Sequence, residues 1–271
     1  MHSIIGQPRP LLTMKPHLSH SRPEETFLPA GKFEERAQNH QLTLSGKGLV
    51  TLLVSTILVL LACHLVSWWL SYHDKEDTAY IHYLDRYFNF NLENNFPSFF
   101  SALLLFFSAL LLALIYKLTA TTDKYKKNWL LLSVVFLFLS MDEALKIHER
   151  VERASRLVFT NNMDGFLFWT WIIPYMLMAL AVAFFCFRMV LQLPEMVRNK
   201  FILSGALYVF AAAGTESIEG HLMKTTGEDP VVLLVTTTIQ ELLEMVSIVL
   251  FISALLDYLA MKMRNIRLTL L

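Results

Sequence analysis

Hydrophobic residues run through this chain in long blocks. Six of them, at 48–71, 97–119, 128–147, 165–191, 200–222 and 231–259, reach the roughly 20 residues a helix needs to cross a bilayer. Blocks of that length predict an all-α fold, a polytopic membrane protein built as a bundle of six transmembrane helices. The organisation that follows is a polar tail over 1–46, a six-helix domain over 47–262 and a basic end over 263–271. The tail is broken by Pro8, Pro10, Pro16, Pro23 and Pro29 and has no apolar stretch like that of a signal peptide, so it reads as disordered.

Composition agrees. Only 17% of residues are charged, against about a quarter in an average soluble domain, and 20 are Phe. Cys63 and Cys186, the two cysteines, both fall inside blocks, which argues against a disulfide framework and a Cys-rich metal site. No nucleotide loop, nucleophile elbow or basic nucleic-acid patch is present, so nucleic acid is not an expected partner. Trp68, Trp69, Trp129, Trp169 and Trp171 lie near block ends, where aromatic belts mark the interfaces. The stretch from Tyr80 to Phe90 mixes aromatics with charges, the pattern of a short helix lying on the outer interface.

Positive charge sets the orientation, because short cytoplasmic loops retain Lys and Arg. Lys117, Lys124, Lys126 and Lys127 fill the second connection, Arg188, Arg198 and Lys200 flank the fourth, and Lys262, Arg264 and Arg267 close the chain. The first connection is acidic, and the fifth sets Lys224 against Glu228 and Asp229. Both termini are therefore expected in the cytoplasm. Arg150, Arg153 and Arg156 in the third connection run against the rule, unless they pair with Glu149 and Glu152 on a solvated helix end.

Carboxylates interrupt three of the blocks: Asp142 and Glu143, Glu216 and Glu219, Glu241 and Glu244. Each costs at least ~2.5 kcal/mol near the bilayer centre, so such acids are usually kept for function. At 1.5 Å per residue, Asp142 and Glu143 stand about 21–23 Å above the inner end of their helix, and Glu216 and Glu219 about 24–29 Å. Glu241 and Glu244 lie about 15–20 Å below the outer end of theirs, so all six belong to the outer half. Glu93 precedes the second span and is placed to cap the group. On straight helices Asp142 shares a face with Glu149, and Glu216 with Glu219; Gln240 stands i, i+4 from Glu244. Gly214 and Gly220 beside the Glu216 pair, and Pro174 in the fourth span, allow discontinuous helices.

Two readings fit this chemistry, and a third remains. Inward carboxylates and histidines on a helical bundle are how di-iron and di-manganese proteins hold metal. A divalent or di-nuclear centre of Fe, Mn or Zn would draw on Asp142, Glu143, His148, Glu216, Glu219, His221, Glu241 and Glu244. The catalytic acids would be Glu143 and Glu241, and a lipid-like substrate would enter from the bilayer. The spacing departs from the Glu-x-x-His pairs of those proteins. Facing acids and histidines also build proton relays and cation-coupled transporters, although no inverted repeat relates the two halves. The third reading, an accessory subunit, uses the polar groups only to fix packing. It suffers from the small return of about 0.6 kcal/mol per polar contact between membrane helices. Asp142 has a local alternative in an i, i+4 pair with Lys146, and Asp257 and Arg188 sit where they can snorkel.

Overall fold

Helix length follows the hydrophobic blocks. The computed structural model describes residues 46–74, 76, 78–158, 169–226 and 229–269, with the side chains of 158, 223–226 and 264–269 excepted. The tail read over 1–46 lies outside the described residues except for Gly46. So do Glu228, residues 165–168 at the start of the fourth block, and the side chains of Lys224, Arg264 and Arg267. Among the described residues the protein is all helical, with no strand, and six helices are long and apolar enough to cross a membrane.

The elements in chain order are α1 (Gly46–His73), α2 (Ala79–Phe88), α3 (Phe96–Leu118), α4 (Lys126–Leu145), α5 (Ile147–Val158), α6 (Ile172–Leu191), α7 (Glu195–Val209), a π-helical turn (Phe210–Thr215), α8 (Glu216–Thr226) and α9 (Pro230–Thr269). α7, the π turn and the first part of α8 together form the fifth span, Glu195–Leu222. The two short helices α2 and α5 are not spans. α2 exposes Tyr80, Tyr83 and Tyr87 and buries Ile81, as the interfacial reading expects.

Two helices carry the core. About half of the apolar window of α3 (56%) and of α9 (50%) is buried, against 17–22% for the other four spans, so α3 and α9 are central and the rest face outward. α9 packs on α7, α3 and α1, and α3 pairs extensively with α4. Leu105, Leu112, Ile115, Met245, Ile252 and Leu255 fill the space between them. Serines draw α3 and α4 together: Ser133 Oγ donates to the Ala109 carbonyl (2.9 Å) and Ser140 Oγ to the Ala102 carbonyl (2.8 Å). Small hydroxyl residues permit this close approach in a membrane.

Several ends and breaks differ from a reading of straight helices. Trp129 is not a belt residue; it is buried and stacks on Tyr258 at 5.0 Å. Pro174 does not interrupt α6, because it sits in the first turn, where the missing N–H has no partner to lose. α4 stops at Leu145 because Lys146 adopts a left-handed conformation (φ 53) and its N–H closes on the Asp142 carbonyl. This break ends the face expected to join Asp142 to Glu149. It also turns the Lys146 side chain away from Asp142 and onto Glu93 (2.8 Å) and Glu149 (3.5 Å). Asp257, expected to snorkel, is instead paired with Lys200 at 2.7 Å.

Candidate functional site

The site begins with the tight loop between α2 and α3. Asn95 caps α3: its side chain accepts from Ser98 N–H (3.1 Å), while Ser98 Oγ accepts from Asn95 N–H (3.1 Å), a capping box. The Asn95 amide also donates to the carbonyls of Asn89 and Leu92, both at 2.6 Å. Asn94, at φ 60, completes the turn in a region that Asn tolerates better than most residues. This scaffold fixes Glu93 at the mouth of a cavity of about 640 Å³.

That cavity is two-ended. Its long wall is apolar and comes from α4, α6 and α7, with Leu132, Phe136, Val182, Phe187 and Phe201 along it. Its other end carries six carboxylates: Glu93, Asp142, Glu143, Glu216, Glu241 and Glu244. His148, Trp171, Tyr175, Tyr208 and Gln240 stand among them. No Lys or Arg is among the lining residues.

Charge at the mouth is balanced by an ordered network. His148 Nε2 lies 3.1 Å from Glu93 and Nδ1 lies 3.4 Å from Asp142, while its backbone N–H donates to Asp142 at 2.6 Å. With a carboxylate at each ring nitrogen, His148 is an imidazolium. Burial opposes that charge, but the hydrogen bonds and charges of Asp142 and Glu93 outweigh it and push the pKa up to about 11. Burial likewise opposes the charge on Glu93, and His148 and Lys146 together hold its carboxyl below the usual range. Lys146 is raised in turn by Glu93.

The ring of His148 leans on Trp171 (5.5 Å between centroids), whose indole N–H donates to Glu216 at 2.9 Å. The backbone N–H of Trp171 donates to Glu152 (2.7 Å), as does Thr170 Oγ1 (2.9 Å) and Arg156 Nε (2.5 Å). Glu152 and Trp171 therefore depart from their sequence readings. Glu152 is a buried acceptor holding the start of α6, not a solvated helix end, and Trp171 is part of the polar network, not a belt residue.

Deeper in, the acids have fewer partners. Glu216 accepts from Gln240 (3.3 Å) as well as from Trp171, linking α8 to α9. Glu143 and Glu241 have neither a hydrogen bond nor an ion pair among the described contacts; they lie within electrostatic reach of one another and of Glu244. The hydroxyl of Tyr175 is buried at the acidic end, beside Asp142.

The π turn aims Glu216. One residue more than an α-helical turn rotates everything that follows by about 100°. Gly214 makes room for it, since a Cβ there would lie 2.9 Å from the Phe210 ring. Of the eight residues read as metal ligands, six line the cavity and two do not. Glu219 lies one turn further along α8, with Thr236 Oγ1 3.5 Å away, and His221, five residues past Glu216, is carried about 140° around the helix. Among the described residues, no three or more His, Cys, Asp or Glu side chains are grouped so as to hold a metal ion.

Sequence reasoning passed over His64, which is 1% exposed in the middle of α1. Its Nδ1 accepts from the Phe90 N–H (3.1 Å), so the proton is on Nε2, which faces Thr238 Oγ1 at 2.9 Å. The ring stacks on Phe90 at 4.4 Å. Thus α1 is fastened to the loop that carries Glu93 and to α9. A lone His in an apolar block was the available signal; Tyr175 and Tyr208, polar groups inside aliphatic runs, were similar ones.

Fold and cavity define a multi-pass membrane protein with an acid-ended cavity. The chain belongs to the family described as Domain of unknown function (DUF8692), whose model matches residues 48–259. No curated protein and no solved structure matches it.

Proposed function

We propose that this protein is a membrane enzyme acting on a membrane-soluble amphiphile, with Glu143 and Glu241 as the proton-transferring groups. The observation that carries this reading is a cavity that joins a long apolar wall to unpaired carboxylates. An apolar arm binds a chain without specifying chemistry, and acids lacking counter-charges stand where the polar end of that molecule would rest. A divalent or di-nuclear metal (Fe, Mn or Zn) is the second form of the same proposal. It requires Glu143, Glu216, Glu241 and Glu244 to draw together around the ion, with Asp142 and His148 at its edge. Both termini are placed in the cytoplasm on the Lys and Arg count of the second and fourth connections.

The test is comparative lipid analysis of membranes holding wild type, Glu143→Gln or Glu241→Gln at equal levels. A lipid class that changes with wild type and stays constant with both variants is the expected result. Identical lipid profiles for all three would overturn the enzyme reading. Elemental analysis of the same detergent-purified proteins decides the metal: one or two ions per chain, lost in Glu241→Ala, supports the centre, and metal-free protein removes it.

A second reading has its own observation. The mouth network runs from Glu93 through the His148 ring to Asp142, an arrangement suited to a proton or cation path. Ion-dependent flux in liposomes, abolished by Glu241→Gln, would favour it.

A further inference from the structure

The apolar wall of the cavity is not closed. Leu180 and Phe187 on α6 and Ile202 on α7 all line it, yet they are 62%, 61% and 51% exposed. Residues that belong at once to a cavity wall and to the lipid-facing surface mark an opening between those two helices. Gly205 sits in the same wall, and nothing lies within 4 Å of where its Cβ would be. The slot is therefore open space.

From Tyr175 to Val190 the α6 wall runs about 22 Å, more than the roughly 15 Å of one leaflet of a hydrocarbon core. A chain of membrane-lipid length fits along it. At the far end the charges are uneven. His148, the one basic side chain lining the cavity among the described residues, is shared between Glu93 and Asp142, and Lys146 is engaged with Glu93 and Glu149. Glu216 is occupied by Trp171 and Gln240. Among the described residues Glu143, Glu241 and Glu244 form no ion pair, and Glu143 and Glu241 accept no hydrogen bond. An ammonium head supplies these carboxyl groups with both a counter-charge and donors, neither of which an anionic head offers.

We infer that the cavity is loaded sideways from the bilayer, through a portal between α6 and α7, by a long-chain amphiphile with a cationic head that Glu143, Glu241 and Glu244 receive. This rests on the reading of the cavity as an amphiphile site and adds the head group and the route.

The experiment is binding of hexadecylammonium, hexadecanoate and methylammonium to detergent-purified wild type, Gly205→Trp and the double variant Glu143→Gln/Glu241→Gln. Helical circular dichroism and monodispersity check the fold, and Ala183→Leu, in the same wall, replaces Gly205→Trp if that variant misfolds. Wild type is expected to bind the long-chain ammonium at least about tenfold more tightly than either other probe. Blocking the wall should weaken that binding about tenfold, and removing the two carboxylates should erase the preference for ammonium over carboxylate. Equal affinity for hexadecanoate, or indifference to the blocked wall, overturns the inference. Mass spectrometry of co-purified lipid separates the two levels: a neutral or anionic amphiphile displaced by Gly205→Trp would sink the cationic head and leave the amphiphile enzyme standing. An empty cavity, no probe binding and unchanged lipid profiles would sink both.

Discussion

His148 and Glu152 are the residues on which the mouth of the cavity turns. The pKa of His148 is raised from 6.5 to about 11, so its contribution to stability is complete below pH 6.5 and is lost as pH rises toward 11. Glu93 is shifted the other way, and its contribution is present above its ordinary value of 4.5 and lost in acid. Thermal unfolding in detergent should therefore show stability falling steadily from pH 7 to 10 in wild type, and His148→Gln should flatten that slope. If the slope survives in the variant, the assignment is wrong. Glu152→Ala leaves the Trp171 N–H and the Thr170 hydroxyl unsatisfied, a loss of about 2–4 kcal/mol measurable as a lowered denaturation midpoint. Neither role was readable from the sequence. Glu152 belongs by spacing to an ordinary i, i+4 pair with Arg156, and that pair exists; its tertiary partners, 18 and 19 residues away, leave no periodic trace.

At the scale of elements, the spans were legible because bilayer thickness dictates helix length, and the blocks end within about five residues of the helices except at the start of the fourth, read from 165, whose helix begins at Ile172. Breaks were not legible, because each rests on a local backbone choice that the sequence does not force. Lys146 is an ordinary helix former, yet it stops α4 in a left-handed turn, and no Gly or Pro announces it. The π turn at Phe210–Thr215 holds only Gly214 as a clue, and Gly214 was read as allowing an unwound segment rather than an added residue. Its function is testable. Deleting Ala212 should restore a plain α-helix and swing Glu216 about 100° away from Trp171 and Gln240. Trp171 fluorescence would then lose its sensitivity to Glu216→Gln while helical content stays constant. A deletion variant that keeps that sensitivity would show that the turn does not aim the carboxylate.

For the whole molecule, the carboxylates of four separate elements reach one cavity because α3 and α9 are central and the outer helices lean on them. Depth along each span was enough to foresee that Asp142, Glu143, Glu216, Glu241 and Glu244 would meet. The failure of Glu219 and His221 to join them came from angle, which depth cannot supply. The apolar wall was also hidden: Phe136, Phe187 and Phe201 look like lipid-facing residues in a sequence, and only packing shows that they enclose a volume. Membrane thickness gives one more expectation at this scale. The sixth span, Pro230–Met263, is about 51 Å long, well beyond the about 30 Å hydrocarbon core, so thicker bilayers should be tolerated better than thin ones. Unfolding in vesicles of graded acyl length should show the lowest midpoint with the shortest chains, and a reversed order would contradict the assignment.

The pairing of α8 with α9 bears on how the protein is made. Taken alone, the end of the fifth span and the start of the sixth each present two acids to the insertion machinery, at about 2.5 kcal/mol or more per acid near the centre. Glu216 meets Gln240 and Glu219 meets Thr236, so the two segments answer part of each other's polarity. The two are therefore expected to insert best as one hairpin, and a fifth span made without the sixth should be poorly held in the bilayer.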